Sequence, residues 1–245
     1  MEMKKLILFD IDGTLTVPRN KISSDMVNEL KRLEIIENLE LGFVGGSDLS
    51  KQIEQIGTEN MNIFTWKFSE NGLYSFYKDK VIHKKSIIDY LGEDKYQKLI
   101  NVILEVLAIT IIPVKRGNFI ELRNGLINIS PIGRSCSQEE RESFYNYDIE
   151  NNVRERIIDK IKALYEWSDE LTFSIGGQIS VDIFPKGWDK TYSLQFVEHK
   201  YEKIYFFGDK TMKGGNDYEI YNDNRVIGNS VINYNDTINL LKKLF

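Results

Sequence analysis

The run Leu6-Ile7-Leu8-Phe9-Asp10-Ile11-Asp12-Gly13-Thr14-Leu15-Thr16 narrows the choice of fold more than any other part of the chain. A β-prone apolar segment stops at two carboxylates two positions apart, followed by a glycine and hydroxyls. A continuous apolar run closed by turn residues suits a strand buried on both faces, as in a parallel sheet. Ligands of open α/β sheets bind at the carboxyl ends of the strands, so Asp10 is predicted to stand where chemistry is done. Beyond the strand end the alternation of faces lapses, and Gly13 lets Asp12 turn back toward the same crevice. A hairpin at Asp12-Gly13 is the competing structure. It needs a second strand at once, and Val17-Pro18-Arg19-Asn20 does not supply one.

The pattern D-x-D-G-T-L-T resembles the nucleophile motif of the haloacid dehalogenase superfamily of phosphotransferases. Beyond it the chain keeps a strand–helix rhythm. Ser23 or Ser24 caps a helix with Met26, Leu30 and Leu33 on one stripe, and Leu39 to Val44 is a strand ending in Gly45-Gly46-Ser47-Asp48. A helix carrying Leu49, Ile53 and Ile56 leads to a third strand, Phe64 to Phe68, closed by Ser69-Glu70-Asn71-Gly72. Such alternation predicts a doubly wound parallel sheet.

The rhythm then changes. A hairpin is expected over 73–83, then a long amphipathic helix with Tyr96, Leu99, Ile100, Ile103 and Leu107 on its apolar side. Asn124-Gly125 between Phe119 to Arg123 and Leu126 to Ser130 is a strong hairpin signal. Ser137-x-x-Glu140 is a capping box, a second helix runs from Asn152 to Trp167, and two strands flank Gly176-Gly177. Past Pro185 the first rhythm returns: a helix over Asp189 to His199, a strand from Lys203 to Phe207, a short strand near Val226 and a closing helix from Asp236. The expected architecture is therefore α/β, a doubly wound parallel-sheet core over 1–82 and 187–245 with an inserted α+β cap over 83–186.

Composition narrows the function. A net charge of −5 carries no basic signature, so no nucleic-acid partner is expected. With two histidines, His83 and His199, a bound metal is expected to have oxygen ligands. The lone Cys136 excludes an internal disulfide and suits a reducing compartment. No apolar run reaches membrane-spanning length, and Met1 to Lys5 carries no cleavage pattern, so a cytoplasmic protein without a membrane partner is expected.

A second strand end offers Gly208-Asp209, with Asn216-Asp217 close behind. If it lies beside the first, Asp209 joins Asp10 and Asp12, and three crowded carboxylates call for a cation. Hard oxygen ligands with open positions suit Mg²⁺. Transfer of an anionic phosphoryl group needs further positive charge or donors, for which Ser47 and Lys190 are candidates. Arg116, Arg123, Arg134 and Arg141 stand in the cap, and arginine grips phosphate bidentately. Ser180 and Asp182 share one side of a strand and can meet sugar hydroxyls.

These segments, with Lys115-Arg116-Gly117, Ser130-Pro131-Ile132-Gly133-Arg134-Ser135-Cys136-Ser137-Gln138-Glu139-Glu140-Arg141, Thr172 to Ser180 and Phe206 to Met212, resemble the eukaryotic-type phosphomannomutases. The resemblance implies interconversion of mannose 6-phosphate and mannose 1-phosphate through a hexose 1,6-bisphosphate, which in catalytic amounts is also the activator. It implies Asp10 as the nucleophile and Asp12 as general acid/base. Mg²⁺ would be bound by Asp10, Asp12 through its backbone, and Asp209. Arg19, Arg123, Arg134, Arg141, Ser180 and Asp182 match phosphosugar-binding positions. A second cation would use Tyr221, Asp223 and Val226. A homodimer through the cap and a place in GDP-mannose supply for glycosylation are also implied. The alternatives are a sugar-phosphate phosphatase with the same core residues and, further off, a non-catalytic sugar-phosphate-binding protein.

Overall fold

The computed structural model describes residues 4–245. The opening strand, β1 (Lys5–Phe9), is followed by α1 (Ser24–Glu34), β2 (Leu39–Val44), α2 (Leu49–Ile56), β3 (Trp66–Ser69) and the hairpin β4 (Tyr74–Tyr77) and β5 (Lys80–Lys84). Ser23 caps α1 by accepting the Met26 N–H, and Asp48 caps α2 by accepting the Lys51 N–H. A 3₁₀ segment over Thr58–Ile63 precedes β3, which begins at Trp66 rather than at Phe64.

Next come α3 (Ile87–Leu91), α4 (Glu93–Ile109), β6 (Ile120–Leu122), β7 (Ile127–Ile129), α5 (Gln138–Asn151), α6 (Val153–Leu164), β8 (Leu171–Gly176) and β9 (Ser180–Pro185). The capping box Ser137/Glu140 opens α5, and Asn152, in the left-handed region at φ 50, separates α5 from α6. The sheet runs β6-β7-β9-β8, antiparallel throughout. Ile127, Ile129, Val181 and Ile183 are buried on one side, as are Leu99, Ile103, Ile157 and Ile161 from α4 and α6. The other side carries a polar row, Glu121, Asn128, Asp182 and Ser174, directly opposite one another across four strands.

The chain returns through β10 (Lys203–Gly208), α7 (Tyr218–Tyr221), β11 (Ile227–Ser230) and α8 (Tyr234–Leu244). Between β9 and β10 the expected helix over 189–199 is instead a 3₁₀ helix, Lys190–Phe196. Asp189 accepts the Thr191 N–H and hydroxyl, and the Ser193 hydroxyl donates to the Lys190 carbonyl at 2.7 Å. The Ser193 backbone also lies against Gly72, where a Cβ would approach Ser193 Cα to 2.9 Å. Local bonds of this i to i+2 and i to i+3 kind favour the tighter winding.

The larger sheet runs β11-β10-β1-β2-β3-β4-β5. Its first five strands are parallel, and the β4–β5 hairpin adds two antiparallel ones. Ile7 and Phe9 enter one apolar cluster with Leu30 and Phe43, while Leu6 and Leu8 enter the other with Trp66 and Phe206. Both sides of β1 are thus buried, each such side chain contributing about 1.5–3 kcal/mol. The chain divides into two compact units, the first running to Lys84 and resuming at Gly187, the second spanning Lys85–Lys186.

Candidate active site

Parallel register places Phe9 beside Phe207, and the Asp10 N–H donates to the Phe207 carbonyl at 2.9 Å. Asp10 therefore leaves β1 at the level where Gly208-Asp209 leave β10. Lys190 donates to Asp10 Oδ1 and, at 2.5 Å, to Asp217 Oδ1. All three residues are buried, and Asp217 is held further by accepting the Lys210 N–H at 3.0 Å. Asp217 fits only because residue 208 is glycine: a Cβ there would sit 2.7 Å from the Asp217 carboxyl carbon.

Asp10, Asp209 and Asp217 each present an oxygen within 4.8 Å of the others. Burial pushes the Asp10 carboxyl up to about 7, against the pull of Lys190 and with Asp217 adding to the rise. Asp209 is raised by burial and by Asp217. Burial opposes the Lys190 charge, yet Asp10 and Asp217 outweigh it and hold the ammonium above the ordinary lysine value. Among the described residues, Thr14 Oγ1 and Asp209 Oδ1 are buried side-chain polar atoms without a hydrogen-bond partner. An unpartnered carboxylate oxygen on a residue clustered with two further carboxylates has the donor chemistry of a hard divalent cation site.

Asp12 is held differently. Its Oδ1 accepts the Arg19 N–H and the Gln55 Nε2, each at 2.7 Å. Arg19 is exposed and adopts φ 63 to present that N–H. Asp10, Asp12, Gly45, Gly46, Ser47, Gln55, Lys210 and Asn216 line a cavity of ≈ 130 Å³. Ser47 lines this space without capping α2, a role that Asp48 takes.

In the second unit the polar row organises the arginines. Asn128 donates to Asp182 Oδ1 at 2.6 Å and accepts from Arg134 Nη1 at 2.5 Å. Arg123 donates to Glu121 Oε2 at 2.8 Å, and Arg134 Nε lies 3.3 Å from that same oxygen. Ser180 shares the side of Asp182, and its carbonyl, with those of Gly176 and Gly177, accepts from buried Arg154. Arg141 stands in the first turn of α5, half-buried, whereas Arg116 is paired with Glu140.

Tyr221 ends α7, and Asp223 and Val226 stand in the turn that leads to β11, where the Val226 N–H donates to the Asp223 carbonyl at 3.2 Å. Both oxygens of Asp223 are engaged by Arg225, at 2.7–2.9 Å. Residues that sequence reasoning did not assign to the site are Gln55, Asn128 and Glu121, with Asp217 named only as a nearby carboxylate. Gln55 carried a usable signal, because Gln52 and Gln55 fall on the apolar side of α2 and are buried there.

Comparison with known proteins bears on what such a site does. The family profile described as "Eukaryotic phosphomannomutase" matches residues 26–245. A phosphomannomutase of Galdieria sulphuraria is 51% identical over 240 residues, covering 98% of this chain and 94% of that protein. That of Schizosaccharomyces pombe is 51% identical over 246 residues, covering 99% and 95%. That of Saccharomyces cerevisiae is 51% identical over 242 residues, covering 98% and 94%. Among solved structures, a haloacid dehalogenase-like hydrolase from Bacteroides thetaiotaomicron aligns with a TM-score of 0.60 at 14% identity, over 99% of this chain and 100% of that one. A trehalose-6-phosphate phosphatase from Aspergillus fumigatus aligns at 0.58 and 14%, over 99% and 92%. At such identity these two speak for the fold alone.

Proposed function

The chain belongs to the eukaryotic phosphomannomutase family, and from that premise we propose how its residues divide the work of the reaction. Its activity is that of an isomerase, a phosphomannomutase. In this reading Asp10 is the nucleophile: its carboxylate attacks phosphorus, an aspartyl-phosphate forms, and the P–O bond to the departing sugar oxygen breaks. Asp12 gives the proton that this oxygen needs and takes one back from the opposite hydroxyl in the return transfer. The observation that supports this most is the different anchoring of the two carboxylates. Asp10 is buried on Lys190, while Asp12 is fixed through Oδ1 by Gln55 and the Arg19 N–H beside the same cavity.

Asp10, Asp209 and the Asp12 backbone would hold a Mg²⁺ ion, with Asp217 close by, and the orphaned Asp209 oxygen fits such an ion. When bound, the ion neutralises crowded carboxylates and phosphoryl oxygens. Lys190 keeps Asp10 oriented, and Ser47 donates to the transferring group. A second cation at Tyr221, Asp223 and Val226 would share Asp223 with Arg225, displacing part of that ion pair.

Between transfers the hexose 1,6-bisphosphate carries a phosphate at each end, and trace bisphosphate primes Asp10. Arg19, Arg123, Arg134, Arg141, Ser180 and Asp182 bind the phosphosugars. A cytoplasmic setting, a role in GDP-mannose supply and a homodimer through the second unit complete the reading. Among the described residues, no helix is long and apolar enough to cross a membrane. Exposed Leu104, Ile109 and Ile111 at the end of α4 support an apolar contact between copies.

A ³¹P NMR time course on mannose 1-phosphate, with Mg²⁺ and trace hexose bisphosphate, tests the mechanism. Conversion to mannose 6-phosphate with no free phosphate is expected. Phosphate accumulating in its place would indicate a phosphatase and overturn the assignment.

A further inference from the structure

We propose that Glu121 is a built-in stand-in for phosphate, a carboxylate that occupies the Arg123–Arg134 pair until a substrate phosphate displaces it. The proposal rests on the reading that these two arginines bind the phosphosugar. One oxygen of Glu121, Oε2, receives Arg123 Nη2 at 2.8 Å and Nε at 3.3 Å and lies 3.3 Å from Arg134 Nε. Glu121 and Arg123 are two apart on β6 and at its end, hence on one side of the sheet. Arg134 reaches that side from a separate loop, where its Nη1 is already bound to Asn128. A single anionic oxygen is therefore what draws the two guanidinium groups together.

The energetics favour exchange over permanent pairing. The three side chains are 35–44% exposed, so each ion pair is solvated and weak. A phosphate brings about two negative charges and three acceptor oxygens, against one charge on Glu121, and can take both forks at once. Glu121 thereby keeps two like charges from repelling each other in the free protein and opposes capture of stray anions. It also sets a fixed competition against which every sugar phosphate binds. For a reaction in which a bisphosphate must let go, reverse and bind again, weakened grip on either end speeds the exchange.

Glu121→Gln removes the charge at constant size and separates this role from a merely positioning one. A stand-in anion predicts that KM for mannose 1-phosphate falls about three- to tenfold and that inorganic phosphate becomes a better competitive inhibitor by a similar factor. A residue that only orients the arginines predicts the reverse, a higher KM and weaker inhibition. Either that result or unchanged constants overturns the proposal, with the melting temperature confirming that the variant is folded. Arg123→Ala and Arg134→Ala, assayed alongside, keep the premise separate. If both bind mannose 1-phosphate and phosphate normally, the arginine clamp itself fails; if they bind weakly while Glu121→Gln is unaltered, only the stand-in role fails.

Discussion

The carboxylate of Asp209 lies so close over Gly13 that a Cβ at residue 13 would come within 2.3 Å of Oδ2. Two segments nearly two hundred residues apart in sequence thus meet through an absent side chain. Gly13 also sits at φ +81, where an L-residue costs about 1–2 kcal/mol. Gly13→Ala is expected to push Asp209 away and to raise the Mg²⁺ concentration for half-maximal activity by about tenfold or more, since 1.4 kcal/mol is a tenfold change in affinity. A Mg²⁺ titration of turnover, with a thermal melt at each point, measures both effects.

Asp10→Asn tests the nucleophile. The amide keeps the shape but cannot form an acyl phosphate, and loss of a covalent catalytic group costs about 10⁴-fold or more in kcat. Burial already disfavours the charged form of Asp10, and Lys190 retains Asp217 as a partner. The melting temperature is therefore expected to hold while turnover disappears. Full activity in this variant would remove the aspartyl-phosphate from the mechanism.

Lys190→Met takes the counter-charge from two buried carboxylates. Removing one partner of a buried ion pair costs about 3–5 kcal/mol. Calorimetry should show a large loss of stability in chelator and a partial recovery in Mg²⁺, because a ligand that binds only the folded state stabilises it. Equal losses with and without Mg²⁺ would separate the lysine from the cation site.

Asp48 gives a pH signature. The Lys51 N–H that it caps holds its carboxyl below the ordinary value, burial opposing and the Lys51 charge assisting. A depressed folded pKa contributes stability that is present above the unfolded value, near 4, and lost as pH falls through the folded one. Asp48→Ala should cost about 1 kcal/mol at pH 7. The gap from the unaltered protein should close as the pH is lowered from about 5 toward 2, as read from urea midpoints at each pH.

Where the sequence spoke clearly, local chemistry was enough. The Leu39–Val44 strand, a cap at Ser23 or Ser24, the Ser137 cap and the Asn-Gly hairpin at 124–125 follow from apolar period, capping residues and turn residues, and the structure has them, with Ser23 as the first cap. The motif at 10–16 likewise placed Asp10 at the end of a buried strand. The stretch from Asp189 to His199 is expected as a helix, and the structure winds Lys190–Phe196 more tightly, as a 3₁₀ helix. Its tighter winding follows from Ser193 lying against Gly72 and from local side-chain bonds, neither of which leaves a mark on periodicity. Gln55 escaped for a related reason: its partner Asp12 is 43 residues away. Asn128 became informative only once register set it between Arg134 and Asp182.

The central strand β1 has β2 on one edge and β10 on the other, and β10 begins only at Lys203. During synthesis nearly two hundred residues beyond β1 leave the ribosome before that second edge is covered. The nascent protein therefore carries a greasy ribbon with open peptide groups, a template for mispairing with other nascent chains. Pairing of strands so far apart in the chain is slow to form, and because Asp209 follows β10 directly, the acidic cluster cannot assemble until that pairing is made.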